Sequence, residues 1–174
     1  MSRPWREALK LGEEGERIAS KLLPELFPNA RIRRVQPTHQ RWLHSDFLVE
    51  VGSTRLFIET KYDLAGTGNL AIETKLEYPS GKVVPGWLYR TKADYVLYLL
   101  SGFDEAYLLP TDELRLLIEL RRNDLTEKST YVQGTKAYFY LLPREQVPFR
   151  KLRYGSGRQD AKRHPRELQA VGVG

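Results

Sequence analysis

Hydrophobic and polar positions change period several times along this chain, and each change marks an element. Trp5, Ala8, Leu9, Leu11, Ile18, Ala19, Leu22 and Leu23 recur at helical spacing. An amphipathic helix is expected there, with Ser2 as N-cap, Pro4 in the first turn, Gly12 or Gly15 as a point of interruption, and Pro24 and Pro28 as its end. Arg31-Ile32-Arg33-Arg34-Val35 then alternates as an edge strand with its charges on one side. Pro37 to His44 has no period and is expected to be a polar loop carrying His39, Arg41, Trp42 and His44.

Alternation returns at Phe47. Two short strands joined by Gly52-Ser53 suit a type II′ hairpin turn, because glycine takes the positive φ that its first central position needs. Placing Val51 opposite Thr54 sets Glu50 against Arg55, Leu48 against Phe57 and Asp46 against Glu59. Phe47, Val49, Leu56 and Ile58 then form one apolar face, while Asp46, Glu59 and Lys61 share the other. A slip of one residue would scatter them. Two carboxylates and an amine converging at a strand end suit a divalent metal and a phosphate.

A glycine-rich loop over 62–69 follows, without the Gly-Lys-Ser/Thr of a phosphate-cradling loop. Leu70 to Lys75 reads as a strand, Glu77 to Pro85 as a polar loop, and Val96–Leu100 and Ala106–Pro110 as buried strands. Thr111 is expected to cap a helix from Asp112 to Arg122, with Asp112 and Glu113 at its positive end. Residues 123–134 read as a polar connector and Lys136–Leu142 as the last strand. A single domain is therefore expected over 1–149 and a basic tail over 150–174, with a short helix at 165–170.

With 174 residues, 41% hydrophobic and 11% aromatic, the chain can bury a substantial core. No apolar run reaches the roughly 18 residues of a membrane span, and no signal-peptide pattern opens the chain, so a cytoplasmic protein without membrane contact is expected. The absence of cysteine excludes disulfides, thiolate zinc sites and cysteine nucleophiles. None of the three histidines stands at a metal-ligand spacing from another, so any metal falls to carboxylates, which favours Mg²⁺ or Mn²⁺. The net charge of +6 is segregated: residues 1–45 carry +4, residues 46–149 carry −3 and residues 150–174 carry +5. An acidic centre between basic arms suits a metal-carrying catalytic centre flanked by phosphate-binding arms, and equally a solvated surface with a charged tail.

Asp46, followed after twelve residues by Glu59-Thr60-Lys61, resembles the PD-(D/E)XK motif of the restriction-endonuclease-like nucleases, with Ser45 where the family has proline. Gly12-Glu13-Glu14-Gly15-Glu16-Arg17-Ile18-Ala19 resembles the family's first-helix segment, in which Glu16 matches the glutamate that completes the acidic cluster. Gly68-Asn69-Leu70-Ala71-Ile72-Glu73 and Thr91-Lys92-Ala93-Asp94-Tyr95 resemble a phage-type branch, where a helical turn precedes the next core strand.

The resemblance implies an α/β fold with a central mixed sheet flanked by helices, and Mg²⁺- or Mn²⁺-dependent hydrolysis of DNA phosphodiesters. It implies that Asp46, Glu59 and the Thr60 carbonyl hold the metal, that Lys61 and Glu16 complete the catalytic set, and that Glu73 supports the site from a neighbouring strand. Arg33, Arg34, Arg41 and Lys92 are the expected phosphate contacts. A second Ile-Glu-Thr-Lys at 72–75, with Asp63 upstream, is a rival site, set aside because Asp63 falls in the glycine-rich stretch. A non-catalytic DNA- or protein-binding domain on the same fold, and an unrelated α/β domain with a fortuitous Glu-x-Lys, are the alternatives. Monomer and homodimer both stay open.

Overall fold

The structure is a computed structural model that describes residues 3–155. The helix expected at 165–170 and most of the basic tail lie outside the described residues. Helix α1 (Arg3–Leu26) buries Ala19, Leu22, Leu23 and Leu26, one stripe at helical spacing. It is continuous through both glycines. Gly15 lies against β3, where an added Cβ would sit 2.8 Å from the Tyr62 Cβ. Pro24 does not stop the helix either, because it lies in the final turn and costs only one interior hydrogen bond.

Strand β1 (Arg31–Arg34) is the expected edge strand, but α2 (Pro37–Leu43) replaces the expected loop. Pro37 occupies the first turn, where its missing N–H costs nothing. The helix is too short to show an apolar period. Strands β2 (Phe47–Val51) and β3 (Thr54–Asp63) pair in the register expected from the sequence, from Val51↔Thr54 to Phe47↔Ile58. Gly52 has φ 59° and Ser53 has no positive φ, as a type II′ turn requires.

Strand β4 (Asn69–Glu77) carries the second Ile-Glu-Thr-Lys. After β5 (Val83–Pro85), the turn α3 (Trp87–Arg90) leads into β6 (Tyr95–Leu100), then β7 (Glu105–Pro110) and helix α4 (Thr111–Arg121). Thr111 is the first helical residue rather than the cap. The cap position belongs to Pro110, and the buried Thr111 hydroxyl has no partner. The expected connector after α4 contains β8 (Thr126–Val132), followed by β9 (Thr135–Pro143) and β10 (Arg150–Arg153). All seven residues of β8 are exposed, so no buried face imposes alternation on it. The stretch assigned to the tail thus begins as a strand. Lys151 and Arg153 reach the buried Glu105 at 3.5 and 3.9 Å, and Arg144 reaches it at 3.2 Å.

The architecture is mixed α/β, with a large mixed sheet flanked by helices. Six strands run in the order β1-β2-β3-β6-β7-β10, with β3 and β6 parallel and the other pairs antiparallel. Phe47, Val49, Ile58, Leu97, Leu99 and Leu108 pack one face against α1. The other face carries Val96, Tyr98, Leu100, Tyr107 and Leu109 and is covered by α3, α4 and a second sheet ordered β5-β4-β9-β8. Among the described residues no helix is long and apolar enough to cross a membrane.

Candidate active site

Strand β2 stops at Phe47, opposite Ile58, whereas β3 runs five residues further to Asp63. That difference in length opens one edge of β3. Backbone groups of alternate residues point to alternate edges of a strand. Ile58 faces β2, since its carbonyl accepts from Asp46 N at 2.8 Å, so Thr60 faces the vacated edge. Its N–H is taken by a side chain: Asp46 Oδ2 accepts from Thr60 N at 2.6 Å. Asp46 thus continues the ladder with its carboxylate, and the Thr60 carbonyl lies on the same open edge.

Glu59 and Lys61 stand two residues apart on one face of β3, and Glu59 Oε1 meets Lys61 Nζ at 2.5 Å. Glu59 is 7% exposed, and its other oxygen, Oε2, is buried without a hydrogen-bond partner. Burial raises the Asp46 carboxyl to about 6; the Thr60 N–H opposes the rise, the charges of Glu16 and Glu59 add to it, and Lys61 offsets part. Those Coulomb effects place Asp46, Glu59, Lys61 and Glu16 in one electrostatic neighbourhood. Of these carboxylates, Glu59 is the one in contact with Lys61, and Glu16 pairs with Arg34.

Glu16 is brought in by the close approach of α1 to β3 at Gly15. Its carboxylate is held by Arg34 at 3.1 Å, and the Arg34 guanidinium also lies 5.9 Å over the Phe47 ring. Arg34 therefore belongs to the site's rim. Arg33 points to the opposite face of β1 and joins Arg55 on Glu50, at 2.8 and 3.3 Å. Arg41 lies on α2, and its side chain is outside the described residues. Lys92 opens onto a separate cavity of about 390 Å³ beside Asp94, Asp112, Glu113 and Arg115, so the structure does not group it with Lys61.

One neighbour of Lys61, Trp87, escaped the sequence reading, whereas Glu73 is the expected support from a neighbouring strand. Trp87 places its ring 5.3 Å from Lys61 Nζ, and Glu73 Oε1 accepts from the Trp87 backbone N–H at 2.9 Å. Gly86 makes this possible, because a Cβ there would sit 2.6 Å from the Glu73 carbonyl carbon. Glu73 thus supports the site by fixing the residue that backs Lys61. The Gly86-Trp87 pair was the available signal, since glycine before a buried aromatic marks a close backbone approach. Asp63 is not in a loop: it ends β3, pairs with Leu100 and accepts from the Tyr98 hydroxyl at 2.8 Å.

The donor set fits a hard cation. It offers only oxygens, carries excess negative charge and leaves Glu59 Oε2 unpartnered. Among the described residues no three His, Asp or Glu side chains cluster as a metal cage by themselves, and a cation here would need Asp46, Glu59 and the Thr60 carbonyl together, since Glu16 is turned to Arg34. No protein-family model matches the chain, and no curated protein or solved structure is detectably similar to it.

Proposed function

We propose that this chain is a metal-dependent deoxyribonuclease of the PD-(D/E)XK type on a restriction-endonuclease-like fold. The observation that carries the reading is the grouping of Asp46, Glu59 and Lys61 where β3 outruns β2, with Glu59 Oε2 buried and unpartnered. The chain order of α1, the β2–β3 hairpin and the parallel β3–β6 pair supports the fold assignment.

Asp46, Glu59 and the Thr60 carbonyl would hold Mg²⁺ or Mn²⁺, which would supply Lewis-acid stabilisation of charge on the scissile phosphate. Lys61 places a fixed ammonium beside that phosphate, preorganised by Glu59 below it and the Trp87 ring behind it. Arg34 offsets the charge of Glu16 and adds a guanidinium at the rim for the DNA backbone. Asp46 must lose its proton to bind the cation, so metal uptake strengthens as pH rises through about 6.

Incubation of linear, circular and branched DNA with and without Mg²⁺ tests this reading. Cleavage is expected with Mg²⁺ or Mn²⁺ and is expected to nearly vanish with Ca²⁺, whose larger radius loosens the geometry. Undiminished cleavage in excess EDTA sinks the carboxylate–metal mechanism.

A further inference from the structure

A cavity of about 260 Å³ opens beside Lys61. Its walls come from separate parts of the fold: Leu11 of α1, Tyr62 and Asp63 of β3, Leu64 just beyond them, Ala71 of β4, Trp87 of α3 and Tyr98 of β6. Leu11 and Leu64 are 41% and 51% exposed, two apolar side chains on the rim of an otherwise charged site. Resting on the nuclease reading, we propose that this cavity receives one unpaired nucleobase from the DNA strand whose phosphate lies at Lys61. The preferred substrate is then a strand with an unpaired nucleotide, and not a perfect duplex.

The chemistry of the walls argues for a base. Aromatic and apolar side chains accept the π-face of any base, and the cavity is sized for one heterocycle rather than a pair. Lys61 belongs both to the cavity wall and to the catalytic group, so a nucleotide with its base inside presents its phosphate to the ammonium. The Tyr98 and Asp63 side chains in the wall are already hydrogen-bonded within the protein. The Tyr98 hydroxyl donates to Asp63 Oδ2 at 2.8 Å and accepts from Ala71 N at 2.9 Å, and Asp63 Oδ1 accepts from Ala65 N at 2.7 Å. Recognition then rests mainly on stacking, which tolerates all four bases. The cavity at Lys92 differs, since its wall is mostly polar and charged, with Asp94, Asp112 and Glu113 outnumbering Lys92 and Arg115, and has a single aromatic, Tyr95.

The test uses the full chain in EDTA, so that binding is read without cleavage. Oligonucleotides carry 2-aminopurine at successive positions of a single strand, of a one-nucleotide bulge and of the matching perfect duplex. Stacking in the cavity is expected to quench the probe at one position of the single strand and of the bulge, and to leave the duplex unchanged. A Leu11→Ser, Leu64→Ser double variant alters only exposed positions, and its thermal melt checks that it folds. It is expected to lose the quench and to bind unpaired DNA about tenfold more weakly, with duplex affinity unaltered. A quench that persists in the double variant overturns the proposal, as does equal binding and cleavage of duplex and unpaired DNA by the natural chain. In that second case the nuclease reading survives. Failure of the natural chain both to bind and, with Mg²⁺, to cleave any of these DNAs overturns the nuclease reading and this proposal together.

Discussion

Ile-Glu-Thr-Lys occurs twice, at 58–61 on β3 and at 72–75 on β4, in different backbone settings. On β3 the strand is regular: Glu59 pairs with Val96 and Lys61 with Tyr98, so both side chains share a face and meet at 2.5 Å. On β4 a bulge falls between Glu73 and Lys75, which pair with the successive residues Phe139 and Tyr138 of β9. Successive residues of a strand face opposite ways, so the bulge sends Glu73 and Lys75 to opposite faces of their sheet. Glu73 turns to Trp87 and Arg90, while Lys75 lies 3.9 Å over the Tyr138 ring. One extra residue in a strand makes a potential active site into a buttress for the other copy. Identical side chains do chemistry together only where the backbone puts them on one face.

The largest effects should separate the copies. On the nuclease reading, Lys61→Ala and Asp46→Ala are expected to lower turnover by about a thousandfold, the first by removing a cation from the phosphate and the second by removing a metal ligand. Lys75→Ala is expected to stay within about twofold of the natural chain in the same assay, since a lysine outside the reacting group supplies no transition-state charge. The reverse outcome means that the copies are assigned the wrong way round.

Glu73→Ala comes next. It leaves the Trp87 N–H without its acceptor, which should cost about 1–3 kcal/mol in a thermal melt. Turnover should fall about tenfold as Lys61 loses its support, and Glu73→Gln should restore most of it because an amide oxygen still accepts that bond. Full activity in Glu73→Ala breaks the buttress argument.

A subtler difference lies in pH. Asp46, held up at about 6 in the metal-free fold, titrates above the ordinary carboxylate range. A folded-state value above the unfolded one means that the folded chain holds the proton more tightly. Its contribution to stability is fully present below about pH 4 and is lost as pH rises through about 6. Metal-free Asp46→Asn is therefore expected to melt higher than the natural chain at pH 7, and the gap should close on acidification to pH 4. A constant gap across that range contradicts the placement of Asp46. The smallest effect is the stability cost of Lys75→Ala, which loses one partly exposed cation–π contact and should cost less than about 1 kcal/mol.

What could be read from the chain beforehand followed from local rules. Gly52-Ser53 and the alternation on either side set the β2–β3 register, because a slip would bring Phe47, Val49 and Ile58 to the polar face and Glu59 into the α1-packed core. The same register puts Glu59 and Lys61 on one face, whereas Asp46, expected opposite Glu59, instead donates its N–H to the Ile58 carbonyl and accepts the Thr60 N–H with its carboxylate. Elements without a buried face were not legible. α2 is seven residues long, and β8 is exposed throughout, so neither shows a period. Arg150–Arg153 looked like tail because its charges are satisfied by Glu105, far away in the chain.

The sequence by itself determined the hairpin, its polar face and the all-oxygen donor set, since these depend on neighbours a few residues apart. The sequence reading favours the copy at 58–61 on the ground that Asp63 lies in a loop. Only the tertiary structure puts Asp63 on a strand and separates the copies by backbone geometry instead. The bulge on β4 follows from its pairing with β9, and the open edge of β3 from β2 ending first. Both are properties of strands brought together from distant parts of the chain, and no periodicity within either copy records them.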